Sequence, residues 1–191
     1  MMKSLLLFTT LIFAATVTVS VNVDTEASQI IWKGYKVTGS HEGTIQVEKG
    51  TLDFTDGVLT GGSFAIDMSS LKTTDLSGGG AAKLEGHLKS DDFFGVEKFP
   101  TATFTITKVV SRGTPGDYRV TGDLTIKEST KTIRFNTKVT EEMSKYVAKA
   151  DLTIDRTDFN VRYGSGSFID NLGDKTIYDE FELGITLVTE K

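Results

Sequence analysis

Apolar and polar residues alternate with a period of two over most of the chain, and no helical period persists for long. In TATFTITKV (101–109), Ala102, Phe104 and Ile106 share one face, and Thr103, Thr105 and Thr107 take the other. DYRVTGDLTI (117–126) offers Tyr118, Val120, Gly122, Leu124 and Ile126 as an inward set. KTIRFNTKV (131–139) sets Ile133, Phe135 and Val139 against Arg134, Asn136 and Lys138. YVAKADLTID (146–155) sets Tyr146, Ala148, Ala150, Leu152 and Ile154 against Lys149, Asp151 and Asp155. DEFELGITLV (179–188) closes the series with Phe181, Leu183, Ile185 and Leu187. Three earlier segments, 29–37, 43–54 and 57–68, continue the pattern, the last with Phe64, Ile66 and Met68. Turns containing glycine, such as TDG, TPGD and NLGD, separate the segments as hairpin connections require. About eight strands, each with one apolar face, predict an all-β antiparallel architecture. The alternation alone fits a closed barrel and a two-sheet sandwich equally.

One segment departs from period two. AAKLEGHLKS (81–90) places Ala81, Leu84 and Leu88 at helical spacing, which predicts a short helix with one apolar face. The preceding TTDLSGGG reads as a flexible connection; no Lys-Ser/Thr follows its glycines, so it is not a phosphate loop. Next comes LKSDDFFGVEKFPTATF (88–104). There Phe93, Phe94 and Phe99 either form a lid or mouth over one end of the sheet or plug that end as ordinary core, with Asp91 and Asp92 at the wet edge.

The inward positions are uneven in size. Ala102, Gly122, Ala148 and Ala150 lie among Phe, Leu and Ile, while twelve phenylalanines are available to fill whatever space they leave. Well-packed interiors avoid voids, yet an eight-stranded barrel is wide enough to hold one small ligand. Both a filled and a hollow interior remain open. A hollow one would be lined by hydrocarbon and would suit a long apolar chain, at roughly 0.8 kcal/mol per buried methylene before ordering costs.

Composition narrows the function. Met1–Ser20 runs from a basic start at Lys3 through an apolar stretch, Leu5–Val19, to small residues, the order of a secretory signal. That stretch is short of the ~20 residues that span a bilayer. The expectation is a signal peptide over 1–20 and one exported, periplasmic or secreted, domain over 21–191 with no stable membrane span. Without the signal, 20 Lys and Arg face 26 Asp and Glu, a net charge of −6, which argues against nucleic acid as a partner. The absence of cysteine removes disulfides, thiol nucleophiles and thiolate metal sites. The only two histidines, His41 and His87, make a zinc site unattractive, and no cofactor or metal is expected. His41, beside a glycine-rich bend, is either a hydrogen-bonding group at a mouth or a turn histidine. Arg156 and Asp158 are expected to form an internal ion pair that pins a loop, and 162–176, rich in Gly and Ser, reads as a long rim loop. It contains no G-x-S-x-G elbow, and no catalytic constellation emerges elsewhere.

Four pieces in order carry a family resemblance. GHLKSDDFFGVEKFPTATFTI and VTGDLTIKESTKTIRF supply Leu88, Phe93, Phe94, Pro100 and Phe104, then Gly122, Leu124, Thr125 and Ile126. GGSFAIDMSSL with Asp75 precedes them, and LTIDRTDFNVRYG follows, with Leu152 where the pattern carries an aromatic. Over about residues 28–189 the chain resembles the YceI-like family of exported, lipocalin-like proteins that bind polyisoprenoids and related lipids. The first strands depart from the family's usual opening, with His41 and Gly43 standing for its His and Gly. The resemblance implies an eight-stranded antiparallel β-barrel with one short helix near its mouth. It further implies a carrier that sequesters a long apolar lipid, isoprenoid or fatty-acid-like, in the lumen, and it leaves a homodimer open. The lumen and mouth residues expected to contact the lipid are His41, Phe64, Ile66, Met68, Leu84, Leu88, Phe93, Phe94, Phe99, Phe104, Ile106, Tyr118, Val120, Leu124, Ile133, Phe135, Leu152, Phe181 and Leu183. The alternatives are an enzyme acting on such a lipid and a filled barrel serving as a surface interaction module.

Overall fold

The period-two segments fold as antiparallel strands in a computed structural model that describes residues 16–191. They are β1 (Thr18–Asn22), β2 (Gln29–Lys36), β3 (Gly39–Thr55), β4 (Val58–Thr73), β5 (Thr101–Ser111), β6 (Asp117–Ile126), β7 (Ser129–Glu142), β8 (Lys145–Asp155) and β9 (Ile177–Val188). The sheet runs β3-β2-β9-β8-β7-β6-β5-β4 and closes because β4 pairs again with β3, so β2–β9 form an eight-stranded barrel rather than a sandwich. Closure removes the free edges that an open sheet of this length would expose.

The ninth strand, β1, lies outside that circuit and pairs with the lower half of β3, Val21 opposite Leu52. The chain after it bridges Val23 to Thr189 and thereby fills the seam between β3 and the end of β9. Of the expected signal peptide, residues 1–15 lie outside the described residues, and β1 begins at Thr18, within its last residues.

Register shifts interrupt the wall on β2, along β3–β4 and on β5. A bulge between Ile106 and Lys108 shifts the alternation of β5, so that Val109 packs inward where strict period two would have turned it out. The β7–β8 ladder stops at Lys138 opposite Lys149, so the upper halves of these strands are not paired with each other. A 3₁₀ turn, Arg156–Phe159, follows β8, and Phe159 at its end and Val161 just after it are almost completely buried. The exposed pair Lys131–Asp158 (3.3 Å) and a hydrogen bond from the Asn160 side chain to Ser129 Oγ (3.3 Å) tie this turn to the start of β7.

The one α-helix among the described residues, α1 (Gly78–Lys89), packs on β4 over the upper end. Gly78–Gly80, expected as a flexible connection, form its first turn instead, with Gly78 at φ +58°. Among the described residues no helix is long and apolar enough to cross a membrane.

Candidate functional site: an apolar lumen with an aromatic mouth

The barrel is hollow, which settles the question the residue sizes left open and removes the filled-barrel alternative. Its cavity measures about 400 Å³, within the range of small-molecule sites. Phe104 does fill the space that Gly122 leaves: a Cβ on Gly122 would lie 2.4 Å from the Phe104 ring. Ala102, Ala148 and Ala150 stand on the cavity wall. Lining residues on β9 extend from Ile177 to Leu187, ten residue steps. At ~3.4 Å per residue and a strand tilt of about 40°, the lumen runs roughly 25 Å along the barrel axis.

The lower end is closed. Phe54 and Tyr146 stack with centroids 3.8 Å apart, and the buried Tyr118 accepts the Leu59 N–H at 3.5 Å. Tyr118, expected on the lumen, therefore belongs to this floor and does not line the cavity. Phe99, expected at the mouth, also stays off the cavity wall; its ring lies against Gly95 (3.4 Å from a Cβ built there), inside the turn that carries Phe93 and Phe94. The other seventeen expected residues all line the cavity. Phe64, Ile66 and Met68 come from β4, Phe104 and Ile106 from β5, and Val120 and Leu124 from β6. Ile133 and Phe135 come from β7, Leu152 from β8, and Phe181 and Leu183 from β9. At the upper end stand His41, Leu84, Leu88, Phe93 and Phe94.

Residues that the sequence reading left out of the lining include Trp32, Ile45, Leu71, Ala150 and Ile185. Trp32, Ile45, Ala150 and Ile185 were available from strand alternation, whereas Leu71 faces inward only through the β3–β4 register shift between Asp67 and Lys72. Nor was His87 available that way: it lines the cavity from α1 and meets Phe93 and Tyr163 edge-on, with centroids 5.1 and 4.5 Å away. Phe93 also contacts Phe94 (5.9 Å), and Phe94 contacts Phe181 on β9 (6.5 Å). Phe93 and Phe94 thus form an aromatic collar at the mouth together with Tyr163 of the rim loop, while Asp91 and Asp92 are exposed outside it.

Arg156 holds the collar and the rim loop together. It is 3% exposed, and its guanidinium lies 5.5 Å from the centroid of Phe93. Nε donates to Tyr178 O (3.0 Å), Nη1 to Val161 O (2.6 Å), and Nη2 to Ile177 O (2.9 Å). Its ion-pair partner is Asp179 (3.3 Å), not the expected Asp158, because the 3₁₀ turn points Asp158 out toward Lys131. Burial lowers the pKa of Arg156, against the opposing charges of Asp179 and Asp155. For Asp179, desolvation is the largest single influence and acts upward, but hydrogen bonds from Ser165 and Ser167 and the charge of Arg156 together hold its carboxyl below the ordinary value.

A second polar arrangement stands across the mouth. His41 Nδ1 lies 2.8 Å from Asp75 Oδ2, and Asp75 Oδ1 accepts from Thr73 Oγ1 (2.6 Å) and the Glu42 N–H (3.3 Å). Desolvation again pushes Asp75 upward, but the Thr73, His41 and Glu42 hydrogen bonds outweigh it and the net shift is downward. With Nδ1 bonded to the carboxylate, Nε2 is the ring nitrogen left for other partners. Thr137, further down the wall, donates its hydroxyl to Lys149 O (2.9 Å) and is satisfied there. The lumen therefore offers hydrocarbon along its length and hydrogen-bonding groups at its upper end. Among the described residues no group of three His, Cys, Asp or Glu is placed to hold a metal ion.

Comparison with known proteins agrees with this architecture. A UPF0312 protein of Pectobacterium atrosepticum is 37% identical over 86 residues, 42% of this chain and 44% of that one. A UPF0312 protein of Photorhabdus laumondii is 43% identical over 61 residues, 32% of this chain and 31% of that one. The matched stretches span less than half the length of these curated relatives. Among solved structures, Burkholderia cenocepacia BcnA superposes with a TM-score of 0.69 at 24% identity, covering 88% of this chain and 99% of its own. A polyisoprenoid binding domain from Saccharophagus degradans, implicated in plant cell wall breakdown, gives 0.64 at 17% identity, covering 88% and 97%. At these identities the likeness is one of fold. The model of the YceI-like domain matches residues 21–189, nearly the whole described chain, and the protein belongs to the YceI-like domain family.

Proposed function

We propose that the protein is an exported carrier that holds one long apolar lipid, isoprenoid or fatty-acid-like, in its lumen and keeps it from water. The observation that supports this most directly is the hollow, hydrocarbon-lined interior running the length of a closed barrel. A dry apolar cavity of this size sacrifices the dispersion contacts that a filled core would have, which is a sensible arrangement for a cavity with a guest. The fold shared with a domain described as polyisoprenoid binding supports a lipid as the guest. In this reading the chain lies along the axis, its polar end reaches the mouth beside His41 and Arg156, and the acidic outer surface keeps the complex in solution. Removal of residues 1–20 would precede folding of the exported form, and whether that form pairs with itself does not enter the mechanism.

The reading is tested by blocking the lumen without touching the mouth. Ala150→Phe places a ring on the cavity wall at mid-barrel. Binding of a fluorescent fatty acid and of a polyprenyl lipid should fall by at least tenfold, while the thermal transition of the empty protein stays cooperative. Undiminished binding in a folded Ala150→Phe protein would contradict the lumen as the site.

A further inference from the structure

The exposed aromatic residues of the described chain, Tyr163, Phe168 and Tyr178, are gathered at the mouth end. Exposed aliphatic residues are ordinary on any protein surface and occur at the far end too, at Val58, Val110 and Met143, whereas the exposed rings stand at the mouth. Phe168 and Ile169, 51% and 44% exposed, stand on the rim loop. Val37, 49% exposed, joins them from the β2–β3 turn, whose N–H bonds Thr176 O at 3.2 Å and so ties the two tips together. The apolar surface is continuous with the lumen. Tyr178 is at once exposed and part of the cavity wall, and Tyr163 packs edge-on against His87, which lines the cavity.

The charges at these tips differ from those of the whole molecule. Residues 160–180 carry Arg162 and Lys175 against Asp170, Asp174, Asp179 and Glu180, and Lys36 beside Val37 adds one more cation, a net of −1 that leaves these tips close to neutral in a chain of −5. Arg162 stacks over the Phe168 ring at 4.3 Å, with its charge close to the aromatic tip. Tyrosine rings, aliphatic tips and a snorkelling arginine are the residues that settle in the interfacial layer of a bilayer.

We propose that the rim of Val37, Tyr163, Phe168, Ile169 and Tyr178 is a docking surface for a lipid bilayer, on which the barrel seats with its mouth toward the membrane. The inference rests on the lumen-carrier reading: a lipid that enters or leaves through a mouth seated in the interface need not cross water.

The test is flotation of lipid-stripped protein with vesicles, which requires no cargo and so separates docking from lumen binding. Vesicles of phosphatidylcholine, alone and mixed with phosphatidylglycerol, are compared for the wild type, the double variant Phe168→Asp/Ile169→Asp, and Met143→Asp. Met143 is 93% exposed on the hairpin at the opposite end and serves as the control. The wild type and Met143→Asp should float with both compositions, and the rim variant should lose binding roughly tenfold. Three results would each overturn the proposal: wild-type protein that stays unbound, a rim variant that floats as well as wild type, or binding confined to anionic vesicles and indifferent to the rim substitutions. Native mass spectrometry of the same proteins before stripping reports lumen occupancy, so a failed docking surface would not be mistaken for an empty lumen.

Discussion

Arg156 is a charge kept inside the apolar end of a barrel, satisfied by three backbone carbonyls and one carboxylate. Removing it leaves those acceptors without donors and Asp179 without its counter-charge, which costs more than the lost contacts alone. Arg156→Leu should destabilise the protein by about 3 kcal/mol in urea unfolding, and the 162–176 loop should become the first site cut by protease. A loss below about 0.5 kcal/mol would show that the loop is held some other way. Asp75 and Asp179 work through proton linkage. Both carboxyls titrate below their ordinary value in the folded chain, so the unfolded chain binds protons more readily. The stability they contribute is complete above the unfolded carboxylate pKa and is lost as pH falls through the lowered one. Urea midpoints should therefore drop below about pH 4, and Asp75→Asn should make that drop shallower by removing one contributing carboxyl. Equal acid sensitivity in the variant would exclude Asp75 as a contributor. The sequence shows Arg156 as a loop-pinning charge but misplaces its partner, since Asp158 is two residues away while Asp179 arrives from β9, the strand paired with β8. Nearness along the chain is a poor guide where a 3₁₀ turn reverses the direction of the side chains.

At the scale of elements, α1 is the least committed part of the wall. None of its residues is buried, Ser77 gives it no side-chain cap, and its first turn is Gly78–Gly80. It stays in place through Glu85, which accepts the Thr73 N–H (2.9 Å), through Lys89, which donates to Ser69 O (2.7 Å), and through His87 in the aromatic collar. Gly79 and Gly80 have open space where a Cβ would go and no positive φ. Gly79→Ala/Gly80→Ala should thus stabilise the helix by up to about 1 kcal/mol per site. If α1 swings aside to admit a guest, the same variant should slow lipid uptake without weakening final affinity, as stopped-flow fluorescence would show. Unchanged uptake with a raised melting point would mean that lipid enters without moving the helix. The strands themselves were legible: each of the eight alternating segments is a barrel strand. β1 was not, because Thr18–Asn22 is five residues, mostly exposed, at the tail of an apolar run that reads as a signal. The helix was legible from Leu84 and Leu88, while its glycine turn was not, since glycine's low helix propensity argues for a loop.

For the whole molecule, alternation tells which side chains point inward but not how much space they leave. That volume depends on pairings across the sheet: Phe104 leaning over Gly122, Phe54 stacking on Tyr146 at the floor, and the small side chains of Ala102, Ala148 and Ala150 on the cavity wall. Closure has the same character, since it rests on β3 pairing with both β2 and β4 through one long bulged strand. The central claim is that the resulting cavity carries a lipid, and its most direct test is native mass spectrometry of protein exported by its own host, followed by organic extraction of what is bound. The account predicts a stoichiometric adduct that extracts as one isoprenoid or acyl lipid. A clean apo mass, with no uptake of added polyprenyl or fatty-acid lipid, would contradict it.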